Sequence, residues 1–433
     1  MSVTAAVPLR SRLRSRLRRK PVRRFMVISH RWTSLVLGLL LIAVTTTGAA
    51  LLYRPEYFRA THSALFHHTA SAHPVSATAA VAAVEQRDPD FDPTWVLMDH
   101  GVYLVGNPDY NAIYGVDPGT GQINALAHRN GGWMGLFENF HECALSCTGY
   151  PGYLAFLADP VPDLGQTWLD SVTWAGLILG GLGLLLLFLG ISGLMTWWPG
   201  VRRFKSGFTV RTRRGRFARD YDLHKVVGAV AVPFLLMWGL TGAAFEFPVV
   251  ETSWLAITGG QAPPAGQYDF TPNDVPKGAV AVSLEQASAA AVAQVPGSVV
   301  GVDLPSEDAP YYGVTVKYEH LDPYAYSQFP GAGYVYIDEY DKGHVKVASG
   351  GHLSVSDAAY ERVLEPAHFG WEVNGWWRIV WFVFGLTPLL LMVTGISTWL
   401  VRHGTNKRRR QARRRRRRET AAVEPSPTGA GVR

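Results

Sequence analysis

Four stretches of the chain are apolar with few charged interruptions: Thr33–Tyr53, Val172–Trp198, Val226–Phe247 and Trp376–Val401. Each is long enough for the about 20 helical residues that cross a bilayer core. The pattern therefore predicts a membrane protein with four transmembrane helices and the lipid bilayer as its first partner. Between the helices the period shortens. "NAIYGVDPGTGQINALAH" reads as a strand, an Asp-Pro-Gly turn and a strand. "AVSLEQASAAAVAQVPGSVVGVDLP" reads as an alanine-faced helix, a turn and a strand, and "YYGVTVKYEH" and "GYVYIDEYDKGHVKVA" as paired strands. Residues 70–83 read as a linker entering a short helix, and residues 423–433 as disordered.

Charge orients the helices. Residues 1–32 hold ten Lys and Arg, Pro199–Lys225 nine and the tail from Arg402 twelve, so 31 of 41 basic residues lie on one side. The positive-inside rule makes that side cytoplasmic, with both termini there. The other two loops, with Arg378 and Glu246 at helix edges, carry ten basic residues against 30 acidic ones, a net charge near −20. The basic runs flank membrane helices, which points to topology and anionic lipid and away from nucleic acid. Arginines also precede the first apolar stretch as in a secretory signal, but the stretch exceeds a usual signal core and a near copy recurs mid-chain. It is expected to be retained.

That near copy is an internal repeat. "TTTGAALLYRP" matches "GLTGAAFEFP" with Gly48 over Gly242, 194 positions apart, and the same offset sets His30 over His224. Each of these histidines is followed by a base, Arg31 or Lys225, in "SHRW" and "LHKV". "SGLMTWW" matches "TGISTWL" at an offset of 202. Two halves of equal orientation predict a parallel repeat about a pseudo-twofold axis along the membrane normal. His141 and His368, each three residues after a glutamate, precede the returning helices. An insertion over Glu142–Gln166, carrying both cysteines, accounts for the unequal spacing of the two.

Paired histidines facing each other across such an axis suit bis-imidazole ligation of haem iron, a coordination fitted to electron transfer. His30 with His224 and His141 with His368 would give two sites near opposite faces of a roughly 30 Å core, with Arg31 and Lys225 placed to meet propionates. The absence of C-x-x-C-H makes the expected haems b-type. A lone interfacial histidine needs no function, and zinc ordinarily takes three or four protein ligands; neither reading accounts for four histidines in register. His62, His67, His68, His73, His100, His128, His320, His344, His352 and His403 read as surface residues, with His128 and His352 near enough in sequence to the outer histidines to approach a substrate. Cys143 and Cys147 read as a disulfide stapling the insertion, unless the stretch is helical, or as a redox dithiol. Trp197, Trp198, Trp371, Trp376, Trp377 and Trp381 read as interface anchors or haem-lining rings. "GLILGGLG" sits inside a helix, where close packing explains its glycines.

These residues resemble the PepSY-associated transmembrane family, on the strength of "SHRW", "DLHKVVG", "LTGAAFEF", "VSLEQASAAA", "YVYIDEYDKGHV", "EPAHFGW" and "VTGISTWL" between Met26 and Arg402. The resemblance implies an iron-regulated protein of the bacterial cytoplasmic (inner) membrane, similar to dihaem reductases of ferric siderophores. His30 and His224 would then hold an inner haem, and His141 and His368 an outer one. Electrons would come from quinol or a cytoplasmic reductase, and ferrous iron would leave the chelate because siderophores hold it weakly. The acidic outer face would favour a cationic complex or the released metal. The family runs from its outer histidine almost directly into the helix, which "FHECALSCTGYPGY" does not. The other class of function is a non-catalytic scaffold whose PepSY-like modules regulate an extracytoplasmic protease or envelope partner.

The expected layout is a basic cytoplasmic N-terminus (1–24), TM1 (25–54), and an extracytoplasmic loop (55–171) with a partial PepSY-like module and the 142–166 insertion. TM2 (172–198), a basic cytoplasmic loop (199–223) and TM3 (224–247) follow. An extracytoplasmic α+β PepSY-like module (248–375), TM4 (376–401) and a basic cytoplasmic tail (402–433) complete it.

Overall fold

The computed structural model describes residues 9–108, 111–162, 165–166, 169, 172–262, 264, 266–317, 332–349, 353–370 and 378–423. In chain order the first half holds α1 (Leu9–Leu51), α2 (Arg54–Thr61), α3 (Ala77–Arg87), β1 (Trp95–Asp99), β2 (Val102–Gly106), β3 (Ala112–Val116), β4 (Ile123–His128), α4 (Gly132–Cys143), α5 (Ala155–Ala158) and α6 (Trp174–Trp197). The second holds α7 (Arg216–Glu246), α8 (Pro248–Thr258), α9 (Leu284–Gln294), β5 (Ser298–Asp303), β6 (Tyr311–Lys317), β7 (Ala332–Asp338), β8 (Val345–Ser349), α10 (Val355–Ala359), α11 (Glu365–His368), α12 (Arg378–Gly385) and α13 (Thr387–Val423).

Four spans, Pro21–Leu51, Trp174–Trp197, Arg216–Glu246 and Arg378–Thr405, are long and apolar enough to cross a membrane, so this is a multi-pass membrane protein. The last is made of α12 and the start of α13, which meet at Leu386 just before Pro388; proline brings no N–H and is tolerated in a helix's first turn. Residues 424–433, read above as disordered, lie outside the described residues. The chain separates into two units, one of residues 1–42, 188–233 and 387–433 and the other of 43–187 and 234–386.

In the second unit, α6 and α7 pack closely through glycine. A Cβ on Gly183 would stand 2.6 Å from the Ala243 nitrogen, and one on Gly239 would stand 2.8 Å from the Leu187 nitrogen. Gly176, Gly180 and Gly183 of "GLILGGLG" thus pack closely, against Glu246, Phe247 and Ala243, whereas Gly181 does not.

The same unit contains one antiparallel sheet of eight strands in the order β4-β3-β2-β1-β5-β6-β7-β8. The two loops meet at its centre, where Val96 faces Val302 and Leu97 faces Gly301. Alternation along each strand gives the sheet two apolar faces. On one, Val84 of α3 and Ala287 and Ala291 of α9 pack against Val96, Val105, Val302, Val314 and Ile337. On the other, Phe58 of α2 and Leu65 cover Trp95, Leu97, Leu104 and Ile113. Each valine or leucine buried this way contributes about 1.5–3 kcal/mol. Ser76 caps α3 through the Ala79 N–H, and Ser283 with Gln286 forms a capping box on α9.

The sequence suggested only a partial module in the first loop. The structure gives that loop a helix and four strands, α3 and β1–β4, the same set that the second loop supplies in α9 and β5–β8. The two form one sheet, because β1 and β5 have no other way to satisfy their inner-edge backbone groups. The predicted Asp-Pro-Gly turn is present: Asp117 Oδ1 accepts from the Gly119 N–H at 2.8 Å and the Thr69 N–H at 3.0 Å. Hydrogen bonding by Thr69, through its side chain first and then its backbone, and by the Gly119 N–H holds the Asp117 carboxyl down at about 2.

Candidate functional site: two histidine pairs

In the first unit, His30 on α1 and His224 on α7 stand with ring centres 6.4 Å apart and planes at 84°. His30 Nδ1 meets Ser192 Oγ of α6 at 2.8 Å, and Ser192 Oγ donates to Leu189 O. When the hydroxyl proton goes to that carbonyl the serine accepts from His30, an arrangement that places the hydrogen on Nδ1. His224 Nδ1 meets Leu391 O at 2.9 Å and Thr394 Oγ1 at 3.1 Å, both on α13. A carbonyl only accepts, so His224 too is protonated on Nδ1. The residue after each hydroxyl is a glycine packed on the imidazole it orients. A Cβ on Gly193 would lie 3.4 Å from His30 Cε1, and one on Gly395 3.5 Å from His224 Cε1.

The second unit contains the other pair. His141 near the end of α4 and His368 at the end of α11 have ring centres 6.3 Å apart. His141 Nδ1 donates to Val44 O at 2.8 Å. His368 Nδ1 meets Thr241 Oγ1 at 2.6 Å, and that hydroxyl donates to Met237 O. Glycines again leave room: a Cβ on Gly48 would fall inside the His141 ring envelope, and one on Gly242 would lie 3.5 Å from His368 Cε1. Trp238 Nε1 donates to His368 O, and Trp381 Nε1 to Ala367 O at 2.7 Å, which fixes the short α11. Loss of solvent and the neighbouring His141 push His368 down to about 3, and loss of solvent lowers His141. Both are neutral imidazoles at physiological pH.

His141 and His224, whose Nδ1 faces a carbonyl, therefore hold their proton there and keep the Nε2 lone pair, and the hydroxyls beside His30 and His368 accommodate the same tautomer. A hydrogen-bonded Nδ1 of this kind sets the tautomer of a metal-ligating histidine. Two imidazoles sharing one metal at roughly 2 Å per bond, with about 1.1 Å more from each nitrogen to its ring centre, would have centres roughly 6.3 Å apart. Both pairs fit that spacing. Among the described residues no group of three or more His, Cys, Asp or Glu side chains could hold a metal, so the donor set suits an iron whose other four ligands come from a macrocycle better than it suits zinc.

The supports differ. Glu138, one turn before His141, receives Arg54 Nη1 and Arg129 Nη2 at 2.7 Å each and the Tyr150 hydroxyl at 3.0 Å. The arginines outweigh burial and hold its carboxyl below the usual range. Glu365, three residues before His368, is pushed up to about 8, by burial first and then by Glu251 and Glu361. Cys143 and Cys147 form a disulfide. The helical geometry that would have opposed it is gone, because Ala144 and Leu145 turn left-handed and end α4 at Cys143. Asn139 ties the following segment back through Pro151 O and the Cys147 N–H.

Arg31 lies 5.6 Å over the Trp32 ring, and its Nε has no hydrogen-bond partner among the described residues. Lys225 is engaged: Nζ donates to Thr209 O at 3.3 Å and stands 3.4 Å from Asp222 Oδ1. Trp197 packs with Trp198, Phe204 and Phe208, and Trp198 also with Phe204. Trp371, Trp376, Trp377, His320 and His352 lie outside the described residues. Sequence reasoning missed Ser192, Thr394 and Thr241 as imidazole partners, although Ser192 and Thr394 stand 202 positions apart beside the already matched glycines.

A search of curated proteins gave no match. The family model described as the PepSY-associated TM region matches residues 28–402, nearly the whole chain and all four histidines. The chain belongs to the PepSY-associated transmembrane family.

Proposed function

We infer that this chain is a transmembrane electron-transfer protein carrying two b-type haems, which reduces ferric iron or ferric siderophores with electrons from quinol or a cytoplasmic reductase. One observation carries the reading: two imidazole pairs with ring centres 6.4 Å and 6.3 Å apart, every Nδ1 hydrogen-bonded. When bound, a bis-imidazole haem iron exchanges one electron without changing its ligands. His30 with His224 and His141 with His368 would hold the irons. Ser192, Thr394, Thr241 and the Val44 carbonyl fix the ring orientations, so little rearrangement accompanies electron gain. Arg31 is the base left to meet a propionate at the first pair, Lys225 being held by Asp222.

The parallel repeat belongs to this reading. Ser192 and Thr394 do the same work on His30 and His224, Gly193 and Gly395 seat the same two rings, and the sheet order is the same read outward from β1 or from β5. The concentration of 31 of 41 basic residues around one set of helix ends supports a bacterial inner-membrane orientation with both termini and the His30–His224 pair on the cytoplasmic side.

The test is absorption of protein purified from haem-replete cells. The expected result is a Soret band, reduced α and β bands and about two haems per chain, with one lost in His30→Ala/His224→Ala and the other in His141→Ala/His368→Ala. A colourless protein would overturn this reading and leave the scaffold class.

A further inference from the structure

A cavity of about 300 Å³ opens among α2, the end of β4 and the start of α4. Its wall includes Arg54, Arg129, His62, His128, Tyr57 and Thr61, and among the described residues no aspartate or glutamate lines it. Within loops whose net charge is near −20, that sign is unexpected.

Arg54 and Arg129, with side chains 13% and 11% exposed, converge on a single carboxylate oxygen, Glu138 Oε1. The next carboxylate, Glu142, stands 3.7 Å from Arg54 and is 41% exposed, so water screens it. Burial and the neighbouring Arg54 push Arg129 down from its ordinary value, while Glu138 and Glu142 outweigh burial and raise Arg54. His62 is held in place, stacked on Phe58 at 4.5 Å with Nδ1 3.1 Å from Phe58 O. His128, exposed, closes the other side at the end of β4.

We propose that this cavity binds a small carboxylate-rich anion, and that the substrate class of the chain is the iron-bearing form of such an anion, a ferric hydroxycarboxylate complex. Planar guanidiniums match carboxylates in shape as well as charge. The volume is at the small end of ligand pockets, which favours a compact chelate over a large one. A cationic chelate, which the acidic loops at large would attract, meets no carboxylate on this wall. The anion site stands on the cavity; that the anion delivers iron rests on the reductase reading. In that reaction one electron, supplied by the quinol or reductase named above, converts Fe(III) to Fe(II), and the carboxylate ligand leaves unchanged.

The test is calorimetric titration of the full chain in zwitterionic nanodiscs with gallium(III) citrate, a complex that is not reduced, alongside ferric citrate, a gallium(III) hydroxamate chelate and phosphatidylglycerol. Saturable binding of both citrate complexes is expected, weakened by salt and weakened at least roughly tenfold by a like charge in His128→Glu. His128 is exposed, so that variant keeps the fold if Arg129→Gln does not. No saturable citrate binding, equal binding by His128→Glu, or binding of phosphatidylglycerol alone would overturn the proposal. A colourless protein that still binds gallium citrate keeps the site and removes the reductase. A two-haem protein that reduces hydroxamate chelates but binds no citrate does the reverse.

Discussion

His141 and His368 present their rings at one 6.3 Å spacing, yet the segments that carry them have little in common. His141 rides a twelve-residue helix braced by a buried Arg-Glu-Arg cluster and a disulfide. His368 ends a four-residue helix that two tryptophan N–H groups hold in place, with Glu365 among other acids. What agrees between them is an oxygen on Nδ1 and a glycine against the ring. The imidazole position is the constrained quantity, and any scaffold that delivers it will serve.

The sharpest break should come at the two glutamates. Glu138→Gln leaves two buried arginines without their carboxylate and should cost about 3–5 kcal/mol of stability in mixed-micelle unfolding. Glu365→Gln should match the parent near pH 4.5 and become the more stable of the two as pH rises, changing the pH dependence instead. A carboxyl raised from 4.5 to about 8 on folding stabilises the native state fully below about 4.5, and that contribution is lost as pH rises through about 8. Unfolding midpoints followed from pH 5 to 9 should decline in the parent and flatten in Glu365→Gln.

Next come the glycines. Gly48→Ala drives a methyl into the His141 ring and should cost about 2–3 kcal/mol together with the absorbance assigned to that pair, whereas Gly242→Ala meets His368 only at 3.5 Å and should behave like the parent. Equal behaviour would show that the two rings are seated alike. Replacing Cys143 and Cys147 by serine should cost about 2 kcal/mol by loop-closure entropy, with no counterpart in the second half, and would show as a lowered midpoint and a protease-sensitive 144–154 segment. The smallest effect is expected of Thr241→Val, about 0.5–1.5 kcal/mol for one hydrogen bond, read as a shift in the reduced α band. No such variant exists at His141, whose partner is the Val44 backbone.

Much of this was legible beforehand in short motifs. The four spans, the α9 helix with its Ser283 cap and the β3–β4 turn follow from local pattern and local hydrogen bonding. The first loop misled: β1 and β2, in "WVLMDHGVYLVG", are short, and the pairing of β1 with β5 links residues about 200 positions apart, which no local period signals. The end of α4 was equally hidden, because two left-handed non-glycine residues, Ala144 and Leu145, have no sequence signature. The cationic cavity was masked by the acidic total of the loops around it.

By itself the sequence determined which segments cross the membrane, where positive charge collects and which histidines recur in register, since hydropathy, charge and repetition are properties of the chain alone. Only the tertiary structure decided that the histidines meet at 6.3–6.4 Å, which oxygen faces each Nδ1, and that two loops build one sheet. Those outcomes depend on which distant hydroxyl, carbonyl or strand edge packing brings within hydrogen-bond reach, and that reach is a property of three-dimensional distance rather than of sequence position.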